Sequence, residues 1–178
     1  MKKSKIILFF LIPVIAFTVL ATGCGDRDKA IEAKNKAVIE RVYEEGVNKH
    51  NPDAWDDILT PNYVRHCQAM PPEQQEIHGL EEMKAFLKET FITFPDWHEE
   101  TQFMIAEGDK VALVTVGTGT QTGPMGNLPP SGKKIEVVIS IIHRLEDGKI
   151  AETWTTWDNL AIFKQLGYFP LPEEKKQE

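Results

Sequence analysis

Apolar and polar positions alternate along the chain in two different rhythms, and the change of rhythm divides it. From about Asp28 to Lys49 the apolar residues Ile31, Val38 and Val42 make one stripe, with Ile39, Tyr43 and Val47 beside it. That spacing predicts an amphipathic helix. Asn51-Pro52 restarts the chain, and Trp55, Ile58 and Leu59 give a second, short helix its core face. Tyr63-Val64-Arg65-His66 reads as a short strand, and Gln68 to His78 as a polar, Pro-rich loop. Gly79 to Phe94 carries Leu80, Met83, Phe86, Leu87, Phe91 and Phe94 at helical spacing. After Phe94-Pro95-Asp96 the rhythm becomes that of strands: Trp97 to Ala106 and Val111 to Thr120 flank the turn Glu107-Gly108-Asp109-Lys110. Gln121 to Gly132 is a Gly- and Pro-punctuated loop.

The stretch Ile135 to Gly167 organises the rest. It predicts two long strands joined at Asp147-Gly148, residues that tolerate the positive φ of a two-residue hairpin loop. A short helix from Asn159 to Leu166 follows, with Gly167 just past its end. With that loop, Leu145 faces Ile150, His143 faces Glu152, Ile141 faces Trp154 and Val137 faces Asp158. Strand side chains alternate, so Asp158 is expected on a face with Ile139, Ile141 and Trp154. A carboxyl group there would be partly desolvated and its pKa raised, which suits acid–base work. Asp158 is equally well placed to be the N-cap of the last helix, and the two readings are compatible. The same register separates His143 from Asp158 by roughly 20 Å at ~3.3 Å per residue, so the two form no dyad. Helices first and an antiparallel meander after them predict an α+β fold, with helices on one face of a curved sheet.

Composition changes the picture at the N-terminus. Lys2, Lys3 and Lys5 precede an apolar run from Ile6 to Leu20, and Leu20-Ala21-Thr22-Gly23 leads into Cys24. The run is short for a membrane span of ~20 residues and has the layout of an export signal. Small residues before a Cys resemble the lipobox of bacterial lipoproteins, which implies cleavage before Cys24 and lipid on it. The expected division is a signal peptide at 1–23, the lipidated Cys and its tether at 24–30, one domain at 31–168 and a polar tail at 169–178. The protein would then be an exported lipoprotein anchored to a membrane through Cys24. Losing three lysines leaves 17 basic and 27 acidic residues. So acidic a domain is a poor nucleic-acid binder. With Cys24 lipidated, Cys67 has no disulfide partner and is expected to be a small buried residue.

Other chemistry is sparse. His50, His66, His78, His98 and His143 make no metal-ligand pattern. There is no Gly-x-Ser-x-Gly elbow, and Gly117-Thr118-Gly119 lacks the helix a phosphate loop needs. Glu81, Glu82, Glu99 and Glu100 read as solvated faces. No metal or other cofactor is implied.

Several stretches together resemble the SnoaL-like polyketide and ester cyclases, within the superfamily named after nuclear transport factor 2. They are Tyr63 to His66, Gly79-Leu80, Phe94-Pro95-Asp96, Ala106 to Val111, Gly117 to Thr120 and Pro130 to Lys133. The last is Asp147 through Glu152, Trp154 and Asp158 to Gln165-Leu166-Gly167. The resemblance implies a cone-shaped α+β barrel and a cofactor-free reaction on a small, hydrophobic, carbonyl-containing substrate. It also implies that Asp158 matches the family's acid–base carboxylate near the end of the last long strand. Tyr63, His66, Trp97 and Trp154 are the expected pocket wall, with Phe103 behind them. Relatives often carry His where this chain has Thr153 and Gln121. Two non-enzymatic readings stand beside this one. The cone could hold a hydrophobic small molecule at the membrane surface, or act as a protein–protein module, such as a homodimer paired sheet to sheet.

Overall fold

The computed structural model describes residues 19–169; the lysines and apolar run up to Thr18, and the tail from Pro170, lie outside the described residues. Helix α1 (Val19–Arg41) begins inside the segment read as leader, and side chains before Gly25, Cys24 among them, are not described. No helix among the described residues is long and apolar enough to cross a membrane.

The apolar stripe of α1 continues into a wider π-helical turn, Val42–Val47, where Val42, Tyr43, Gly46 and Val47 are buried. Only glycine fits at position 46, since a Cβ would lie 2.5 Å from Trp55 Nε1. The turn at Gly108 fastens α1 to the sheet: Asn35 Nδ2 donates to Gly108 O (3.1 Å), and Gly108 N donates to Glu32 Oε1 (3.2 Å). The expected second helix is a single 3-10 turn, Pro52–Trp55, whose N-cap Asn51 accepts from Asp53 N. Helix α2 (Gly79–Thr93) buries Met83 and Leu87.

Six strands make one sheet in the order β2-β1-β6-β5-β4-β3. They are β1 (Leu59–His66), β2 (Glu76–His78), β3 (His98–Glu107), β4 (Lys110–Thr120), β5 (Lys134–Glu146) and β6 (Lys149–Trp157). The meander β3 to β6 is antiparallel as expected. Strand β1 joins β6 in parallel, and β2 is a three-residue strand inside the segment read as loop. Helix α3 (Asn159–Leu166) ends at Gly167, whose φ of 82° only glycine adopts at little cost.

The β5–β6 register departs from expectation by one residue. Leu145 faces Ile150 as predicted, but Arg144 then faces Glu152, His143 faces Thr153, Ile141 faces Thr155 and Ile139 faces Trp157. Ala151 is the extra residue, a β-bulge, and both it and Ile150 are buried. A one-residue slip sends every later side chain to the opposite face. Thr153, Thr155 and Trp157 therefore point inward with His143, Ile141 and Ile139. Trp154, Thr156 and Asp158 do not. Strand β3 carries a second irregularity at Gln102, which turns Phe103 outward.

Candidate functional site

The inner face of the sheet, the π-helical turn and α2 enclose a cavity of about 780 Å³. That lies within the range of about 300–1,000 Å³ typical of small-molecule sites. Much of its wall is apolar: Val47, Trp55, Met83, Leu87, Ile135, Val137, Ile139 and Ile141 line it. Against that wall stand Tyr43, Tyr63, Arg65, Glu99, His143 and Thr153.

Each polar group is placed by its element. Tyr63 and Arg65 alternate inward along β1 and are 1 % and 4 % exposed. Among the described residues neither the Tyr63 hydroxyl nor Arg65 Nη1 has a hydrogen-bond partner. The Arg65 guanidinium lies 4.4 Å from the centre of the Phe86 ring and 5.7 Å from that of Trp157. Burial pushes the Tyr63 phenol up to about 12, against the pull of nearby Thr153 and Arg65.

His143 is the inward residue of β5 opposite Thr153. Its Nδ1 is 2.9 Å from Thr153 Oγ1, and its Nε2 is 3.5 Å from the Tyr43 hydroxyl. Burial lowers its pKa to about 3. A neutral ring with Nδ1–H donating to Thr153 and Nε2 accepting from Tyr43 satisfies both contacts. The Tyr43 phenol is raised well above its ordinary value, by burial first and then by the nearby Glu99 charge.

Glu99 is held from two sides. Asn48 Nδ2 donates to Glu99 O (3.0 Å) and Glu99 N donates to Asn48 Oδ1 (2.9 Å), so one side chain replaces the strand neighbour that an edge strand lacks. The Glu99 carboxylate accepts from Trp97 Nε1 (3.1 Å) and from Thr115 Oγ1 (2.9 Å). Burial raises its pKa, and these two hydrogen bonds and the Arg65 charge offset that only in part. Opposite Glu99 lies Gly117, where a Cβ would meet the Trp97 indole at 2.6 Å. The glycine is therefore the space that lets Trp97 lie over the sheet and reach Glu99.

The expected site divides. Tyr63 and Trp97 line the cavity. His66, Phe103 and Trp154 do not; they lie across the sheet, along a groove of about 560 Å³ on its outer face. Tyr63 and His66 have opposite parity on one strand, so both could not face inward. Trp154 was turned out by the bulge at Ala151 and stacks on His66, ring centres 5.6 Å apart. Asp158 is exposed, outside the cavity, and caps α3 by accepting from Ala161 N (3.0 Å). Of its two readings the structure carries the N-cap; the desolvated carboxyl group expected at the end of β6 is absent there.

Glu99, read as solvated, is the inward carboxylate instead. The alternation that put Trp97 in the wall also puts Glu99 beside it, and this was the available signal. Arg65 follows from Tyr63 in the same way. Gln121 is fully buried and clamps the loop after β4: its Nε2 donates to Gly123 O and Pro129 O, and its Oε1 accepts from Ser131 N. Cys67 is free and buried. Among the described residues no group of three His, Cys, Asp or Glu side chains could hold a metal ion.

The model of the SnoaL-like polyketide cyclase family matches residues 37–166. Solved structures share the cone-shaped α+β fold. A Jannaschia sp. CCS1 protein assigned as a SnoaL-like polyketide cyclase is 28% identical, with 76% of this chain and 93% of that chain covered at a TM-score of 0.70. IdmH of Streptomyces antibioticus, assigned as a polyketide cyclase, is 28% identical over 75% of this chain and 98% of its own, with a TM-score of 0.65. AclR of Streptomyces galilaeus, assigned as a hydroxylase, is 23% identical over 82% and 87% and shares the fold at a TM-score of 0.68. No curated protein matches the sequence.

Proposed function

The chain belongs to the SnoaL-like polyketide cyclase family, and from that premise we propose that its cavity takes a small hydrophobic ketone-bearing substrate and moves protons on it through Glu99. The observation behind this reading is a carboxyl group inside an apolar cavity, oriented by Trp97 and Thr115. Desolvation moves its pKa toward the range in which one group can both take and return a proton. Glu99 removes a proton from the carbon next to the carbonyl. The electron pair of that C–H bond passes to the carbonyl oxygen, giving an enolate. The Tyr63 hydroxyl, which lacks a hydrogen-bond partner among the described residues, donates to that oxygen. The enolate carbon then attacks a second carbonyl carbon or takes the proton back, and Glu99 returns its proton. The role expected of Asp158 passes to a residue on another strand.

Exchange of the α-protons of 2-tetralone into deuterated water, followed by proton NMR, tests this. The protein should accelerate exchange, and Glu99→Gln should remove at least about 100-fold of the acceleration while leaving the fold intact by circular dichroism. Equal exchange by the two proteins would remove Glu99 from the chemistry.

A non-catalytic binding reading also has an observation in its favour. The inward positions at the end of β6 are Thr153, Thr155 and Trp157, none of them acidic. No exchange above buffer, with tetralone bound, would favour it. Export belongs to the same proposal: the basic start, the apolar run and the small residues before Cys24 support a lipid anchor there. Cys24→Ser should move the protein from the membrane to the soluble fraction; unchanged fractionation would end that part of the reading.

A further inference from the structure

Arg65 is the one Lys or Arg side chain that lines the cavity among the described residues. It is 4 % exposed, forms no salt bridge among the described residues, and leaves Nη1 without a hydrogen-bond partner. A guanidinium cannot shed its charge by deprotonation as a buried lysine can. The Arg65 guanidinium carbon lies 4.4 Å over the Phe86 ring and 5.7 Å from the centre of Trp157; rings can hold a cation but accept no N–H hydrogen bond in the guanidinium plane, so Nη1 is left for a partner. Every N–H buried without an acceptor costs free energy. Among the described residues the fold thus keeps a buried cation with Nη1 unpaired.

From this we infer that the ligand carries a carboxylate, received by the edge of Arg65, in addition to an apolar body. The inference rests on the cavity reading above and narrows its substrate class to hydrophobic oxo acids. Carboxylate suits the site for two reasons. Its two oxygens match the fork of a guanidinium. It brings one negative charge to the one arginine, whereas a dianion would bring two beside Glu99, which shares the cavity and feels the Arg65 charge. Tyr63 and Arg65 sit two residues apart on the same face of β1. One strand thus offers a hydroxyl for the reacting carbonyl and a cation for the acid group. The two anchors orient the ligand in the cavity.

The test uses a neutral fluorescent probe, N-phenyl-1-naphthylamine, displaced by octanoate or by octanamide at pH 7.5. The two competitors share the same alkyl body and differ in charge. Octanoate should displace the probe at a concentration at least about tenfold lower than octanamide. Arg65→Met should bring the two within about twofold, with octanamide unchanged. Arg65→Lys should keep a reduced preference. Glu99→Gln, which removes the neighbouring acid, should strengthen octanoate and leave octanamide as it was. Should Arg65→Met not fold, the native protein, Arg65→Lys and Glu99→Gln still decide. Equal displacement by both competitors in the native protein overturns the inference and leaves the cavity reading standing. A preference that survives Arg65→Met overturns it as well. A probe that does not enter at all overturns both readings, whereas loss of tetralone exchange alone would touch only the chemistry assigned to Glu99.

Discussion

The two faces of the sheet carry the same kinds of side chain and treat them in opposite ways. On the inner face Glu99 is desolvated and its pKa raised, His143 is held neutral, and Arg65 has no ionic partner among the described residues. On the outer face Glu152 accepts from His66 Nε2 (2.9 Å) and from Arg144 Nε (3.0 Å). Burial pushes its carboxyl up, but those two partners more than offset this and hold it below the ordinary range. Arg144 also pairs with Glu146, and His66 Nδ1 lies 3.3 Å from Glu76. In that outer network each charge has a partner and keeps part of its surface open to solvent. Inside, charges are few and incompletely matched, which costs stability. Groups left in that condition are where a ligand has something to supply.

What assigns β6 residues to one face or the other is a single residue. Ala151 is the bulge between Ile150 and Glu152. Deleting it should be more damaging than any single substitution in either face. Either Thr153, Thr155 and Trp157 turn outward while Trp154 and Asp158 turn in, or the hairpin with β5 must slip against its Asp147-Gly148 turn. Both break the parallel pairing of Arg65 with Thr153. Urea titration should show a loss of more than about 4 kcal/mol, or no cooperative transition. A variant within about 1 kcal/mol of the native protein, still binding the neutral probe, would mean that the bulge does not set the faces.

The same bulge marks the limit of what the sequence disclosed. Local signals were legible: the α2 stripe, the turns at Gly108-Asp109 and Asp147-Gly148, the cap at Asp158 and the left-handed Gly167. Each depends on residues a few positions apart. The bulge has no such mark here. Ile150 and Ala151 are both apolar, so alternation is silent where the slip occurs, and counting on from the turn puts every later residue on the wrong face. Trp154 and Asp158 were misplaced together for that one reason. The irregularity at Gln102 did the same for Phe103. His66 needed no bulge to be corrected, only the parity of Tyr63. Arg65 and Glu99 were within reach by parity. Glu99 is expected in solvent on its charge alone, and that expectation fails because strand parity sets it in the cavity wall beside Trp97.

Buried histidine makes the inner face sensitive to acid. An unfolded histidine takes up a proton near pH 6.5, whereas His143 in the fold resists until about 3. Between those values the unfolded chain binds more protons, so His143 costs stability as pH falls from about 6.5. Glu99 works the other way. Its folded pKa is raised, so the fold holds a proton after the unfolded chain has lost it, and stability drops as pH rises above its ordinary value of 4.5. Comparing the native protein with His143→Gln isolates the histidine. From pH 7 to pH 5 the native protein should lose about 2 kcal/mol more than the variant, measured by urea titration at each pH. Parallel curves would place a proton, or water, on His143 and bring the inner face closer to the outer.

The smallest effect belongs to the outer network, although its contacts span much the same distances as those inside. Glu152, His66 and Arg144 have side chains 26 %, 29 % and 26 % exposed. Solvent therefore screens their attraction, and ordering long side chains offsets part of it. Glu152→Gln should cost about 0.5–1 kcal/mol at pH 7 and low salt, and less in 1 M sodium chloride, where charges beyond about 3 Å are screened. Because the folded pKa of Glu152 is lowered, its contribution is present above its ordinary value of 4.5 and fades as pH falls through the lowered one. The cost of Glu152→Gln should therefore fade with it, in the range where the His143 penalty is growing. Probe binding in the cavity should not change, since Glu152 is not among its lining residues. A cost above about 2 kcal/mol that ignores salt would exceed what screened pairs supply. The outer face would then be a buried charge cluster as well, and the contrast between the faces would rest on pairing alone.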